Sequence, residues 1–231
     1  MHRLMVFLLV ISILIFPVKA ESSDKLVALT FDDGPSGHYT AELLDGLAQR
    51  GVRATFFLCG YRMQQFPKLT SRIHQEGHEI GLHGYSHKSM HNMGLPDILK
   101  ELRKSQAMIP SDAKIRFLRP PGGLTSSAVT SAAKQIHVSI LNWSVDPQDW
   151  AVHDAAAIEK TVLHTVRDGD VILLHDMSDS SVEAALSIVD QLKQNGFRFV
   201  TASELSCARG IDPVPGSLYR HFYTTSNENP K

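Results

Sequence analysis

The sequence predicts an α/β fold, a compact or incomplete (β/α) barrel of about seven parallel strands. Three observations predict it: short β-rich runs alternate with longer segments of helical period, the segments often stop at Gly or Asn-Gly, and unusual polar residues gather at the strand ends. About seven strands within some 180 residues is too few for an eight-unit barrel of ordinary size. A doubly wound open sheet shares the same pattern, because alternation alone does not close a sheet.

The strand candidates are Leu26–Asp32, Ala54–Cys59, Glu79–His83, Phe117–Pro120, Val138–Val145, Val171–His175 and Phe197–Ala202. Each is a short apolar or β-branched run bounded by turn residues. Helical spacing is expected near 39–50, 66–76, 95–108, 126–134, 154–167 and 181–195. Arg50-Gly51, Glu76-Gly77 and Asn195-Gly196 supply stop signals, since a residue past a helix end favours the left-handed conformation that glycine adopts freely. The last stretch, residues 212–231, is polar and Pro-containing and reads as an irregular tail.

The first twenty residues stand apart. Met1-His2-Arg3 is basic, Leu4 to Phe16 is almost wholly apolar, and Pro17-Val18-Lys19-Ala20 ends in small residues at the last and third-last places. This is the pattern of a signal peptide cleaved after Ala20, and the run is short for a membrane span. The expectation is a secreted or envelope-associated protein, with retention as an N-terminal anchor the alternative. Residues 21–211 then form the folded domain. Removing Arg3 and Lys19 with the leader leaves 21 basic residues against 24 acidic, a net of −3. That balance offers no footprint for nucleic acid and suits a neutral substrate. Of the two cysteines, Cys59 falls in an apolar run and Cys207 near the C-terminus; they could pair in an exported protein or remain separate thiols.

Chemistry concentrates where strands end. Asp32-Asp33, His83, Arg119, Asp146 and His175 close five different strand candidates. In parallel α/β folds those ends converge on one mouth. Thr30-Phe31-Asp32-Asp33-Gly34-Pro35 places adjacent carboxylates beside a tight turn, where they repel unless a positive group lies near. Alone, it could be an Asp-rich turn capping a strand. His83-Gly84-Tyr85-Ser86-His87 supplies two imidazoles, and Gly81 and Gly84 favour a strand running into a loop over a helix. Two histidines and one carboxylate are a donor set for a zinc-like ion with open positions, although a lone His-x-x-x-His is more often incidental.

Taken in order, five motifs resemble the polysaccharide deacetylases of carbohydrate esterase family 4, the NodB homology domain. They are Thr30–Pro35, His83–His87, Arg119-Pro120-Pro121-Gly122-Gly123, Asp146-Pro147-Gln148-Asp149-Trp150 and Leu173-Leu174-His175, within a match from about Leu26 to Leu205. The resemblance implies an irregular (β/α) barrel and a hydrolase that removes N-acetyl groups from amino sugars of a glycan such as peptidoglycan or chitin. It implies one divalent metal, zinc before cobalt or manganese, held by Asp33, His83 and His87. It implies Asp32 as general base toward the activated water, and His175 as general acid toward the leaving amine. Arg119 would steady Asp32, Asp146 would orient His175, the Gly122 N–H would serve the oxyanion, and Trp150 and Leu173 would shape the acetyl pocket.

The chain departs from the family pattern at three places: Gly84 for a Ser or Thr, Lys88 for a Pro, and Gly122 for an aromatic. These bear on loop rigidity and substrate preference. Bland readings stand beside the chemical ones, with Arg119 and Asp146 as a structural ion pair and Trp150 as core. Asn142-Trp143-Ser144 matches a glycosylation sequon but falls in a strand candidate. Two further functions remain open, an O-acetyl esterase of the same family and a silent glycan-binding barrel. The partners expected are an N-acetylated glycan, no nucleic acid and no membrane after leader cleavage, with the chain a monomer.

Overall fold

The computed structural model describes residues 25–223, so the leader expected at residues 1–20 lies outside the described residues. Strands and helices alternate as β1 (Lys25–Asp32), α1 (His38–Gln49), β2 (Thr55–Leu58), α2 (Gly60–Gln65), α3 (Pro67–Gln75), β3 (Glu79–Leu82), α4 (Leu95–Gln106), β4 (Phe117–Leu118), α5 (Ser127–Gln135), β5 (Ser139–Leu141), α6 (Ala155–Thr165), β6 (Val171–His175), α7 (Asp179–Gln194), β7 (Phe197–Val200), α8 (Ala202–Ala208) and β8 (Leu218–Tyr219). The sheet runs β6-β1-β2-β3-β4-β5-β8, with β7 also paired to β1, and every strand pairing is parallel.

Period-two alternation in β1 sorts its side chains between two clusters. Val27, Leu29 and Phe31 join the larger cluster with Leu43, Leu44 and Ile188 of the outer helices. Leu26 and Ala28 face the smaller cluster with Phe57, Phe117, Leu141 and Val171 from other strands, which fills the barrel interior. Each fully buried Leu or Phe contributes about 1.5–3 kcal/mol of transfer free energy, so both faces hold the strand in place. Thr30 and Asp32 fall on the interior face by the same alternation, and this aims Asp32 into the mouth.

Helix ends follow local chemistry. Gly51, Gly77 and Gly196 all take positive φ just past α1, α3 and α7, as the stop signals require. Asp154, Ser178 and Thr201 cap α6, α7 and α8 with side-chain oxygens, Thr201 with Glu204 forming a capping box.

The barrel closes in a way the tail's composition concealed. Residues 212–231 were expected to be irregular, yet β8 lies within them and pairs with β5. Phe222 is fully buried, and its N–H donates to the Gly169 carbonyl at 2.8 Å. Beyond β5 the chain turns back onto β6: Ser144 N–H donates to Val171 O at 3.0 Å, and Leu173 N–H donates to Val145 O at 2.9 Å. The expected strand Val138–Val145 is therefore a three-residue β5 followed by a one-residue bridge, and the tail plugs the opening between β5 and β6.

Cys59 and Cys207 do not pair. Cys59 is buried and Cys207 exposed, and burial pushes the Cys59 thiol up, far from reactivity.

Candidate active site

Asp32 ends β1, His83 follows β3, Arg119 follows β4 and His175 ends β6, so four parallel strands deliver their chemistry to one end of the barrel. A cavity of about 370 Å³ opens there, lined by Asp32, Asp33, His83, His87, Gly122, Trp143, Asp146, Trp150, Leu173 and His175.

Three donor atoms meet on one side. Asp33 Oδ1 lies 3.2 Å from His83 Nε2 and 2.9 Å from His87 Nε2. Asp33 and His87 both adopt left-handed backbone conformations, at φ 74° and 59°, which turns their side chains toward His83. His83 is buried, and its Nδ1 lies 2.7 Å from the Arg119 carbonyl. A carbonyl can only accept, so Nδ1 carries the proton and Nε2 presents its lone pair to the cavity. Asp33 Oδ1 is buried without a hydrogen-bond partner of its own. Burial would raise the Asp33 carboxyl, but the two imidazoles override it and hold the group far below the usual carboxylate range. One charged oxygen and two imidazole nitrogens, within 4.8 Å of one another, fit a divalent cation.

The loop carrying both histidines is fixed from outside. Tyr85 N–H, Ser86 N–H and Ser86 Oγ all donate to Glu101 Oε2, at 3.1, 2.8 and 2.8 Å. Gly84 has φ 80°, a conformation that glycine adopts without strain, and a Cβ there would have to displace the Met90 methyl, 2.7 Å away. Glu101, on α4, supplies the anchor.

Beneath the cavity lies a buried cation. Arg119 is fully enclosed, and its Nη1 donates to Asp32 Oδ1 at 2.7 Å and to Thr30 Oγ1 at 2.8 Å. Nε and Nη2 donate to the carbonyls of Leu141 and Asn142, both at 2.9 Å. The guanidinium sits 4.0 Å from the Phe57 ring centroid. Its carboxylate partner is therefore Asp32, and the alternative Arg119–Asp146 ion pair does not form. Burial lowers the Arg119 pKa, while Asp32 works in the opposite direction.

On the other side, His175 corrects the sequence reading. Asp146 was expected to orient it, but Asp146 Oδ1 accepts from the Gln148 N–H at 2.8 Å and turns the chain instead. Asp149 makes the contact: Oδ1 is 2.8 Å from His175 Nδ1, and Oδ2 accepts the His175 backbone N–H at 2.7 Å. The reason is local. Pro147 and a left-handed Gln148 (φ 57°) reverse the chain, so that Asp149 points inward, wholly buried, while Asp146 stays on the cavity wall. Burial disfavours the imidazolium, yet Asp149 outweighs it, backed by Asp32 and Asp33, and lifts His175 to about 9.

Part of the wall is apolar. Leu173 and Trp143 line the cavity, and Trp150 stands at its rim at 62% exposure, so Trp150 is not a core residue. Gly122 lines the cavity at φ 71° with nothing within 4 Å of where a Cβ would point. Asn142, of the sequon, is buried and donates to the Gly123 carbonyl at 2.8 Å, out of reach of a glycosylating enzyme.

Sequence reasoning missed Asp149, Trp143, Glu101 and Asp176. The first two lie inside or beside the motifs singled out; Glu101 has no local signal. Asp176 follows His175 directly and is fully buried, with Thr40 Oγ1 donating to its Oδ2 and Ser36 Oγ to its backbone carbonyl. A Cβ on Gly34 would lie 2.5 Å from both its oxygens, so the Asp32-Asp33-Gly34 turn is pressed against β6 through this carboxyl.

A family model described as polysaccharide deacetylase matches residues 19–141. The chain is 37% identical over 190 residues to a peptidoglycan-N-acetylglucosamine deacetylase of Bacillus cereus, covering 80% of this chain and 89% of that one. It is 34% identical to the peptidoglycan-N-acetylmuramic acid deacetylase PdaC of Bacillus subtilis, over 80% of this chain but 39% of that longer protein. Among solved structures, a family 4 acetyl xylan esterase from Clostridium thermocellum, in complex with a cobalt ion, superposes with a TM-score of 0.80 at 34% identity, covering 85% of this chain and 98% of that one.

Proposed function

The chain belongs to the polysaccharide deacetylase family, and from that premise we propose that it hydrolyses N-acetyl groups on the amino sugars of a glycan, with peptidoglycan as the substrate. The observation that carries the reading is the placement of a carboxylate, Asp32, and a cationic imidazole, His175, around one cavity that also holds the Asp33–His83–His87 donor set.

The unpartnered Asp33 Oδ1 and the Nε2 lone pair of His83 suit a cation, and two imidazoles with one carboxylate leave coordination positions open, as zinc sites in hydrolases do. A divalent ion held there supplies Lewis-acid polarisation of the acetyl carbonyl and a lowered pKa for water.

The chain's own residues do the rest. Arg119 occupies Oδ1 of Asp32 and leaves Oδ2 to accept the proton of the attacking water. The Gly122 N–H donates to the oxygen that becomes negative, a contribution of about 3 kcal/mol for one preorganised donor. His175, with Nδ1–H given to Asp149, holds its second proton on Nε2 at neutral pH and delivers it to the departing nitrogen. An amine does not leave as an anion, so a histidine kept protonated is what amide cleavage demands. Leu173, Trp143 and Trp150 form an apolar wall for the acetyl methyl. The products are acetate and a free amino sugar in the chain.

The place of action follows from the substrate: peptidoglycan lies in the cell envelope, reached by the export that residues 1–20 encode. Among the described residues, no helix is long and apolar enough to cross a membrane.

The test is acetate released by the purified protein from N-acetylglucosamine oligomers, peptidoglycan and O-acetylated xylan, after chelation and again with zinc restored. Zinc-dependent release from the N-acetylated polymers supports the proposal. Release from xylan alone would replace it with an esterase, and metal binding without any release would leave a silent glycan-binding barrel.

A further inference from the structure

Just outside the cavity, on the side of His87, lies a surface that the chemistry above leaves unused. The loop between the two histidines hydrogen-bonds to the start of α2, with Gly60 N–H donating to Gly84 O at 2.9 Å and Tyr61 N–H to Tyr85 O at 3.0 Å. This seats Tyr61 and Arg62 beside Tyr85. Arg62 Nε donates to Tyr61 Oη at 2.9 Å. Lys104, one turn beyond Glu101 on α4, holds its Nζ 3.4 Å from the centroid of the Tyr85 ring, whose Oη donates to Gln64 at 2.5 Å. Lys88 is exposed, next in the chain to His87.

Three cations gather on this surface beside the loop that carries His87. Among the described residues, Arg62, Lys88 and Lys104 have no carboxylate within 4 Å, being turned onto tyrosine or toward solvent. Glu101 is the acid within the same loop contact, and three donors of that loop already use its oxygen. The positive charge of Arg62 is felt at Cys59 and Asp176, below the turn that carries Asp33, so it belongs to the neighbourhood of the site. Cations held in place against tyrosine rings recognise a negative substituent through charge-assisted hydrogen bonds.

We infer that Tyr61, Arg62, Tyr85, Lys88 and Lys104 form a subsite for the carboxylate-bearing side groups of the glycan, next to the sugar that is deacetylated. The inference rests on the proposed deacetylase reading and adds to it: this surface makes the enzyme prefer a glycan carrying acidic substituents over a neutral polymer. Electrostatic recognition at an exposed rim acts on encounter and on KM, and it weakens as salt screens it.

The experiment compares kcat/KM for acetate release from three oligomers of equal length. One is a carboxylate-bearing peptidoglycan fragment, the second is that fragment with its carboxylates amidated, and the third is a neutral N-acetylglucosamine oligomer. The wild-type chain is expected to prefer the carboxylate form over its amidated copy. That ratio should fall about tenfold in the Arg62→Gln/Lys88→Gln/Lys104→Gln variant, carried by KM, and shrink in the wild type at high salt. A wild-type ratio near one, or a ratio unchanged in the triple variant, overturns the subsite. If no oligomer is deacetylated, the functional reading has failed on its own. Calorimetric binding of the carboxylate fragment to the wild-type and triple-variant chains then decides: weaker binding by the variant keeps the subsite, and equal binding overturns it. Lys88→Gln alone, a change at an exposed residue, serves if the triple variant does not fold.

Discussion

Asp149 grips His175 twice, with one carboxylate oxygen 2.8 Å from Nδ1 and the other accepting the backbone N–H at 2.7 Å. Ring and strand end are thereby fixed together, and the imidazolium is stabilised where a leaving amine needs its proton. Asp149→Asn keeps the shape but removes the charge and the tautomer control. We expect kcat/KM to fall about 10²- to 10⁴-fold. The alkaline limb of its pH profile, set by His175 at about 9 in the wild type, should move toward lower pH. A bound cation also pulls that limb down, so the comparison is between variants under one metal concentration. Asp146→Asn should leave the limb where it is. Profiles of the two variants in parallel check the assignment, and a shift in Asp146→Asn alone would reverse it.

The same pair makes a stability prediction with a definite sign. The folded-state pKa of His175 lies above its ordinary value of 6.5, so its contribution is fully present below pH 6.5 and is lost as pH rises through about 9. Urea unfolding of the metal-free protein at pH 6 and at pH 10 should show this loss, and His175→Gln should flatten it.

Arg119 supports a different expectation. It is a buried cation with four hydrogen bonds to Asp32, Thr30 and two carbonyls. Arg119→Met would leave the Asp32 charge and both carbonyls without a donor, and should destabilise the fold by about 3–5 kcal/mol. Arg119→Lys cannot reproduce a planar fork and should recover little of it. Asp32→Asn, by contrast, keeps an acceptor for Nη1; it should retain metal binding and lose turnover by about 10²- to 10⁴-fold. Chemical denaturation and metal stoichiometry, measured on all three, separate support from catalysis.

Metal removal should be visible without any assay of turnover. A ligand bound only by the folded state stabilises it by about 2.7 kcal/mol at a free concentration a hundredfold above Kd. Zinc added to the chelated protein should therefore raise Tm in the wild type. His83→Ala should abolish the rise, because the Arg119 carbonyl bonded to Nδ1 aims His83 Nε2 into the donor set, which loses one of its three ligands.

The sequence was most legible where backbone and chemistry coincide. β1 shows why: an unbroken apolar run ending in two aspartates announces a buried parallel strand and a mouth-facing carboxylate in one reading. The Asp33, His83 and His87 donor set was named from motif order and meets in space, because strand ends in a parallel barrel converge by construction. Asp149 was not legible. Choosing between Asp146 and Asp149 depends on a left-handed Gln148 that nothing in its residue type demands. Glu101 lies far along the chain from the loop it anchors, with a surface helix's ordinary pattern around it. β8 is two residues long and draws its place from the opening it fills, so composition alone made it a tail.

Asp176 carries the last expectation. Burial pushes its carboxyl up to about 7, against 3.8 for a free aspartate. The folded protein then holds a proton there that the unfolded chain has released. The cost is absent below pH 3.8, grows between the two values and is complete above 7. Asp176→Asn keeps an oxygen for Thr40 and never ionises, so it should gain stability relative to the wild type as pH rises from 5 to 8. Asp176→Ala removes the Thr40 bond and frees the Gly34 turn, and should lose stability throughout. Unfolding midpoints of the three proteins at pH 5 and 8 give the answer. If Asp176→Asn loses stability at pH 8, the charged carboxylate is required there, and the proton would have to reside elsewhere in the turn.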